Sequence, residues 1–322
     1  MEVLLKREDM FEVISHPDTD EKLRQKLVTA KSILEFAHQE LSLPDNGSYQ
    51  HYTDLKRPYL VWNVIATPQL SMEPKQWCYI FLGCLSYRGF FKESTAKAYA
   101  KTLEQDGLEV YLGGVSAYST LGWLKDPVIN TMLNREDWEL ARLIFHELAH
   151  QLFYVSDDTD YNEAFADAVS RIGLEKWLQA QSPETSVNVQ EIIHEEDMFI
   201  NIIMDYREKL VSLYATGKSE NDMTEDKAQI LNSLKLTLQS IMQDWSSKSR
   251  YQTWLDKDII NPRLAIVSTY RSLLPDFMSL YDETGRNLID FYSISKEASK
   301  CSAVQRREYL RVKSKKISPC GG

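Results

Sequence analysis

No stretch of this sequence is long and apolar enough to span a membrane. Its start offers no signal-peptide core, because Met1 to Phe11 is broken by Lys6, Arg7, Glu8 and Asp9. Taken as a complete chain, this start places the protein in the cytoplasm; a start trimmed from a longer precursor leaves the cell envelope or periplasm open. Positive charge is in short supply, with 37 Lys and Arg against 47 Asp and Glu, a net charge of −10. No basic block that would track phosphates appears through residue 300, which argues against a nucleic-acid partner. The one basic cluster, Arg306-Arg307 through Lys313, Lys315 and Lys316, reads as a solvated helix face or tail. There are only four cysteines and no C-x-x-C pair. Cys78 and Cys84 can bridge if the chain turns between them. A continuous strand would hold them about 20 Å apart, and in a reducing compartment they would be two small buried hydrophobes. Both alternatives stay open, and Cys301 and Cys320 have no obvious partners. Internal repeats and low-complexity linkers are absent too.

What is present is enough for a real core: 322 residues allow one large domain or two modest ones. Period and turn chemistry predict a helix over 19–41, a strand over 57–68, a second strand near 77–84 and a helix over 93–105. A strand interrupted by glycines follows over 108–120. Beyond about Trp177 the periodicity is helical, over 187–216, 224–247, 262–282 and 296–313, with a polar loop from Tyr214 to Asp222. The expected fold is α+β and mostly helical, a small sheet beside one motif-bearing helix with a helical C-terminal part. It divides into an N-terminal part (1–107), a core (108–180) and the helical remainder (181–322), which together can form one compact unit.

That motif-bearing helix is Leu140–Leu152. Ala141, Ile144, Phe145, Leu148, Ala149 and Leu152 follow i, i+3, i+4 spacing with no Gly or Pro between them. Within it stands H-E-x-x-H. Four helical residues advance about 400°, so His146 and His150 lie one turn apart on one face and can hold one Zn²⁺ between them. Glu147 lies about 100° round the helix, placed for a general base rather than a ligand. A lone five-residue match also occurs by chance on half-buried helices. The sequence that follows separates the two readings.

Thirteen residues after His150 begins Glu163-Ala164-Phe165-Ala166-Asp167, a second helical start with Asp160 or Asn162 as N-cap. Glu163 and Asp167 are i, i+4 and share a face. Glu163 supplies a third, anionic ligand, and Asp167 is placed to accept the other N–H of a ligand histidine. One zinc ion per chain is expected. The metzincin pattern is excluded, because Phe153 and Ser156 stand where it needs Gly and His; the inverted H-x-x-E-H order is absent. Upstream, Gly113, Gly114, Val115, Ser116, Ala117 and Tyr118 form the end of the glycine-containing strand. Glycine in an edge strand invites close backbone approach, so these residues are the candidate edge for an extended peptide. A glycine bulge with a packing role alone is the plain alternative.

The segment from Tyr52 to Asp167 resembles a bacterial family of predicted zinc aminopeptidases. The resemblance rests on Arg57-Pro58-Tyr59, Trp62-Asn63-Val64, Trp77-Cys78, Tyr87-Arg88-Gly89-Phe90-Phe91, Ala117–Trp123, Asp126-Pro127, His146–Gln151 and Asn162–Ala166, with Asn261–Ala265 to Tyr270 similar as well. It implies a gluzincin-like metallopeptidase acting on a peptide or protein substrate, with His146, His150 and Glu163 on zinc and Glu147 as base. Members of that family often begin with a signal or lipoprotein segment, and this chain departs from them by starting at Met1-Glu2-Val3. An oxyanion donor is also needed. Tyr154, Tyr161, Tyr118 and Tyr270 are candidates, and Tyr270 is preferred because it lies in a family-like block outside the zinc helices. Two rivals remain from other classes, a non-catalytic zinc module and a metal-free scaffold. Glu147 argues against the module, since a structural site takes four protein ligands and needs no base. Within the enzyme reading, an endopeptidase is the alternative to an aminopeptidase, because the Gly113–Tyr118 strand carries no acid to meet a free amine.

Overall fold

A computed structural model of the chain describes residues 6–79, 83–117, 120–156, 158–271 and 273–311, the side chains of 268–271 excepted. In chain order the first elements are β1 (Glu8–Asp9), α1 (Met10–Ser15), α2 (Glu21–Gln39), β2 (His51–Thr53), β3 (Val61–Pro68) and β4 (Trp77–Tyr79). Then come β5 (Gly83–Leu85), β6 (Arg88–Phe90), α3 (Glu93–Gln105), β7 (Leu108–Val115) and β8 (Val128–Ile129). From there the described chain is helical: α4 (Asp137–Ala149), α5 (Thr159–Gln179), α6 (Pro183–Tyr214), α7 (Glu220–Ile241), α8 (Lys248–Leu255), α9 (Asn261–Arg271), α10 (Leu274–Glu283), α11 (Leu288–Ser299) and α12 (Ala303–Arg311). The fold is α+β and mostly helical, with small sheets.

Two expected helices are each two. The span 262–282 breaks before α10, where Pro275 has no N–H for a continuing helix but fits its first turn. The expected helix over 296–313 falls on the end of α11 and on α12, dividing at Ser302, whose Oγ accepts from Gln305 N at 3.4 Å while Gln305 Oε1 accepts from Ser302 N at 3.2 Å to start α12. The polar loop after Tyr214 is shorter than expected, because Ser219 already caps α7 through Asp222 N. The chain also turns inside 77–84. β4 and β5 pair antiparallel with Cys78 opposite Cys84, and the two cysteines form a disulfide. Cys301, for which the sequence offers no obvious partner, is disulfide-bonded as well.

The chain folds as two compact units, each assembled from stretches far apart in sequence. The first comprises residues 1–60, 115–181 and 270–322, the second 61–114 and 182–269.

In the first unit β2 lies between β1, antiparallel, and β8, parallel. Its helical core joins Leu27, Ala30, Ile33, Leu34 and Ala37 of α2 to the apolar face of α4. Phe36 and Phe145 meet with ring centroids 6.0 Å apart. Each large side chain so buried contributes about 1.5–3 kcal/mol. α4 begins with a capping box, in which the Glu136 side chain accepts from the third helical N–H and Glu139 accepts from Glu136 N. α5 crosses close by, and Gly173 makes this possible. A Cβ there would sit 2.7 Å from Leu41 Cδ1 and 2.8 Å from Phe145 Cδ2.

In the second unit the sheet order among the described residues is β6-β3-β7, with β7 at one end. Ala96, Ala100 and Leu103 of α3 pack on Val64 and Ala66 of β3. The helices close over Phe199, Ile203, Leu210, Leu234, Leu238 and Leu264. Asn261 explains much of the Asn261–Ala265 block: its N–H donates to Glu109 Oε2 at 2.9 Å, and its Nδ2 donates to Gln69 O and Ser71 O at 3.0 Å each. Lys227 pairs with the other Glu109 oxygen. Arg263 donates to Trp254 O at 2.6 Å and Lys257 O at 3.1 Å, closing the end of α8.

Candidate active site

The candidate site lies in the first unit, where the last turn of α4 meets the first turns of α5. His146 belongs to that last turn, and His150 caps the helix, its N–H donating to His146 O at 3.3 Å. The loop back to α5 is held by one buried side chain. Asn162 Oδ1 accepts from Val155 N at 2.9 Å and its Nδ2 donates to Val155 O at 2.8 Å. That bidentate clamp sits next to Glu163 in sequence and fixes where its backbone starts. The N-cap is neither Asp160 nor Asn162 but Asp158, whose carboxylate accepts from Tyr161 N at 3.2 Å. Asn162 is unavailable as a cap because its amide is spent on the loop.

Two helices so placed bring His146, His150 and Glu163 together. His150 Nε2 lies 3.1 Å from His146 Nε2, with the rings nearly perpendicular at 86°. Glu163 Oε2 is 3.3 Å from His146 Nε2 and Oε1 is 3.8 Å from His150 Nε2. The three ligand atoms all lie within 4.8 Å of one another, and they are the described set of this kind. Two ligands on one tetrahedral zinc, each about 2.0–2.1 Å from it, are about 3.3 Å apart. The observed separations therefore fit a single ion, and the two nitrogens and one carboxylate oxygen are a donor set that zinc accepts.

The electrostatics separate the roles. Burial works against a proton on His146, but the hydrogen bond and charge of Glu163 overcome it and raise the pKa. Burial and the neighbouring His146 push His150 down to about 4, leaving its lone pair available at neutral pH. Glu163 would be raised by burial, yet His150 and His146 hold it below the ordinary carboxylate range. Glu147 is buried, and burial first, then the charges of Glu163 and Asp126, push it up to about 7, with His146 and Arg135 pulling the other way. A carboxyl group near 7 exchanges a proton readily in both directions.

The remaining expected residues divide. Asp167 Oδ1 accepts from Arg142 Nη2 at 3.1 Å and Oδ2 lies 3.5 Å from Arg171 Nε, while its charge favours the proton on His146. Val115, Ser116 and Ala117 fall in the first unit, and Gly113 and Gly114 in the second. Ser116 Oγ accepts from Arg135 Nη2 at 2.7 Å and Ser116 O accepts from Thr131 Oγ1 at 2.6 Å. Tyr118 and the side chain of Tyr270 lie outside the described residues. Tyr161 is a core residue, its hydroxyl donating to Ser295 O at 2.7 Å. Of the basic cluster, Arg306 is not on a solvated face and Arg307 is half-buried beside Asp158, while Lys313, Lys315 and Lys316 lie outside the described residues. Arg306 is buried with its Nε 3.2 Å from Asp158 Oδ2, because the buried cap needs a cation.

Residues 1–310 match the family model described as "Putative aminopeptidase", and the chain belongs to that aminopeptidase family. No curated protein and no solved structure matches it.

Proposed function

We propose that this member of the family is a zinc-dependent aminopeptidase of the gluzincin type. The observation that carries the reading is the convergence of His146, His150 and Glu163 ligand atoms within 4.8 Å, with Glu147 buried beside them. A zinc ion held by those three would supply Lewis acidity to the scissile carbonyl and lower the pKa of water. Glu147 takes a proton from the attacking water and passes it to the leaving amine nitrogen, the two-way transfer that its raised pKa suits. His150, neutral, and Glu163, anionic, hold the lone pairs that a cation needs. Arg142 and Arg171 hold the Asp167 carboxylate, which keeps a negative charge behind His146. Tyr270 is our choice for the donor to the oxyanion.

A second reading is an endopeptidase, because Gly113–Ala117 carries no acid to meet a free amine. For location, the Cys78–Cys84 disulfide favours an oxidising compartment, the cell envelope or outside it.

The test is metal analysis of the purified chain followed by assay of aminoacyl amides and internally quenched peptides. We expect about one zinc per chain, and hydrolysis that is lost on chelation and restored by zinc. A chain that binds zinc tightly and cleaves no peptide would return the site to a non-catalytic module.

A further inference from the structure

The loop from Thr120 to Asp126 folds tightly on itself and against the end of α4. Thr120 N and Oγ1 both donate to Asp126 Oδ2, at 2.8 and 2.9 Å, and Trp123 N donates to Thr120 O at 3.1 Å. Leu121 and Gly122 take left-handed φ values of 58° and 78° to make the turn. A Cβ on Gly122 would lie 3.1 Å from Asn46 Nδ2 and 3.6 Å from Gln151 Cβ. Asn46 Nδ2 donates to Gln151 Oε1 at 2.8 Å, and Gln151 is the residue after His150. The loop is thereby pinned to the neighbour of a candidate ligand.

Asp126 is 3% exposed, and no ion pair reaches it among the described residues. Both hydrogen bonds to its carboxylate fall on Oδ2, leaving Oδ1 without one among the described residues. A buried carboxylate without a cation is costly, and the fold of this unit uses only one of the two oxygens. The missing cation is what a peptide with a free N-terminus would bring.

We propose that Asp126 binds the α-ammonium group of the substrate through Oδ1, and so makes the enzyme trim residues from the N-terminus. The inference rests on the peptidase reading above. The ammonium offers three N–H donors and a full charge, whereas an acetylated N-terminus offers one neutral N–H. The Thr120 bonds hold Oδ2 and orient Oδ1. A charge-assisted hydrogen bond of this kind corresponds to about 10- to 100-fold in affinity.

The experiment pairs a peptide bearing a free N-terminus with its N-acetylated copy, on wild type and on Asp126→Asn. An amide oxygen can still accept from Thr120, so the loop is kept. We expect wild type to prefer the free peptide. Asp126→Asn should lose about 10- to 100-fold of that preference, chiefly as a raised KM for the free peptide; the preference is read as the ratio of the two peptides on each variant, so that any change in turnover common to both cancels. Thr120→Val removes the hydroxyl bond to Oδ2 but keeps the charge and the backbone N–H bond, and should lose less of the preference than Asp126→Asn. If Asp126→Asn does not fold, Asp126→Glu, which keeps the charge but moves it by one methylene, should lose part of the preference. Calorimetric binding of both peptides to Glu147→Gln, with and without Asp126→Asn, reads recognition without turnover. An Asp126→Asn enzyme that still prefers the free peptide overturns the proposal and leaves the peptidase reading intact. A Thr120→Val enzyme that loses the preference equally overturns it too, assigning the effect to the loop. A wild type that cuts both peptides internally at similar rates overturns it together with the aminopeptidase label. If nothing is cut, the peptidase reading fails, and equal binding of the two peptides overturns the proposal as well.

Discussion

Arg306 Nε lies 3.2 Å from Asp158 Oδ2, and both side chains are buried. Asp158 is also the N-cap of the helix that carries Glu163, and Arg307 Nη2 approaches its other oxygen at 3.2 Å. The Arg306 guanidinium stands 5.0 Å over the Tyr161 ring. The helix Ala303–Arg311 therefore fixes the first turn of the helix that carries Glu163, the third candidate ligand. Sequence distance hides this link, since the two residues are far apart along the chain.

Replacing Arg306 with Met should destabilise the first unit and weaken metal binding together. Removing one partner of a buried pair strands the other and costs about 3–5 kcal/mol. Arg307 remains beside Asp158, so the lower part of that range is expected. Thermal melting with and without zinc, plus zinc titration, checks this. An unchanged melt with unchanged zinc affinity would show that the Asp158 cap stands without Arg306.

Ligand and base should separate cleanly. Glu163→Ala removes one of three converging donors and should lose tight metal binding. Glu147→Gln should keep about one zinc per chain and lose hydrolysis by about 10²–10⁴-fold, the usual worth of a positioned general base. Metal content and kcat measured on the same preparations decide it. Tight zinc in Glu163→Ala would pass the third-ligand role to another acid.

How far the sequence alone reaches is clear from particular residues. The helix with H-E-x-x-H was legible because apolar spacing and the histidine spacing share one period, and Glu163 followed because its helix starts nearby. The helix over 93–105 was bounded correctly by the Asp106-Gly107 stop. Asn162 was read as a cap although its side chain clamps Val155, since a cap and a loop clamp use the same amide chemistry. Arg306 was read as solvated because burial depends on a partner distant in sequence. Arg135 and Asp126 reach Glu147 only through the folded loop, and nothing in their local sequence announces it. The Asp158–Tyr161 spacing was the available signal for the true cap.

Acid should loosen the second unit through Glu195. Burial alone would raise this carboxyl group, but Ser246 N at 2.8 Å, Ser247 N at 2.9 Å and both serine hydroxyls donate to it, and its pKa is held below the ordinary value. The folded value is depressed, so its contribution is fully present above the unfolded pKa of about 4.3 and is lost as pH falls through the folded value. Glu195→Gln should be less stable at neutral pH and flatter on the acid side. Chemical denaturation between about pH 3 and 7 tests this. Parallel curves for the two proteins would remove Glu195 from the acid response.

Gly173→Ala opposes two effects whose sizes can be compared. Alanine in mid-helix gains about 0.8–1.0 kcal/mol over glycine by propensity. Against this, the new methyl would stand 2.7 Å from Leu41 Cδ1 and 2.8 Å from Phe145 Cδ2. Neither neighbour gives way easily, because Leu41 and Phe145 are both fully buried and Phe145 also meets Phe36. Overpacking a tight core costs about 1–3 kcal/mol. The clash should win by about 1 kcal/mol, lowering the melting temperature of the first unit by a few degrees. Phe145 is adjacent to His146, so a shifted ring also moves the first ligand, and zinc affinity should fall with stability. Melting and zinc titration of the one variant give both readouts. A variant as stable as wild type or more so would show that the two helices can separate by a few tenths of an ångström without cost, and that Gly173 is not what sets their approach.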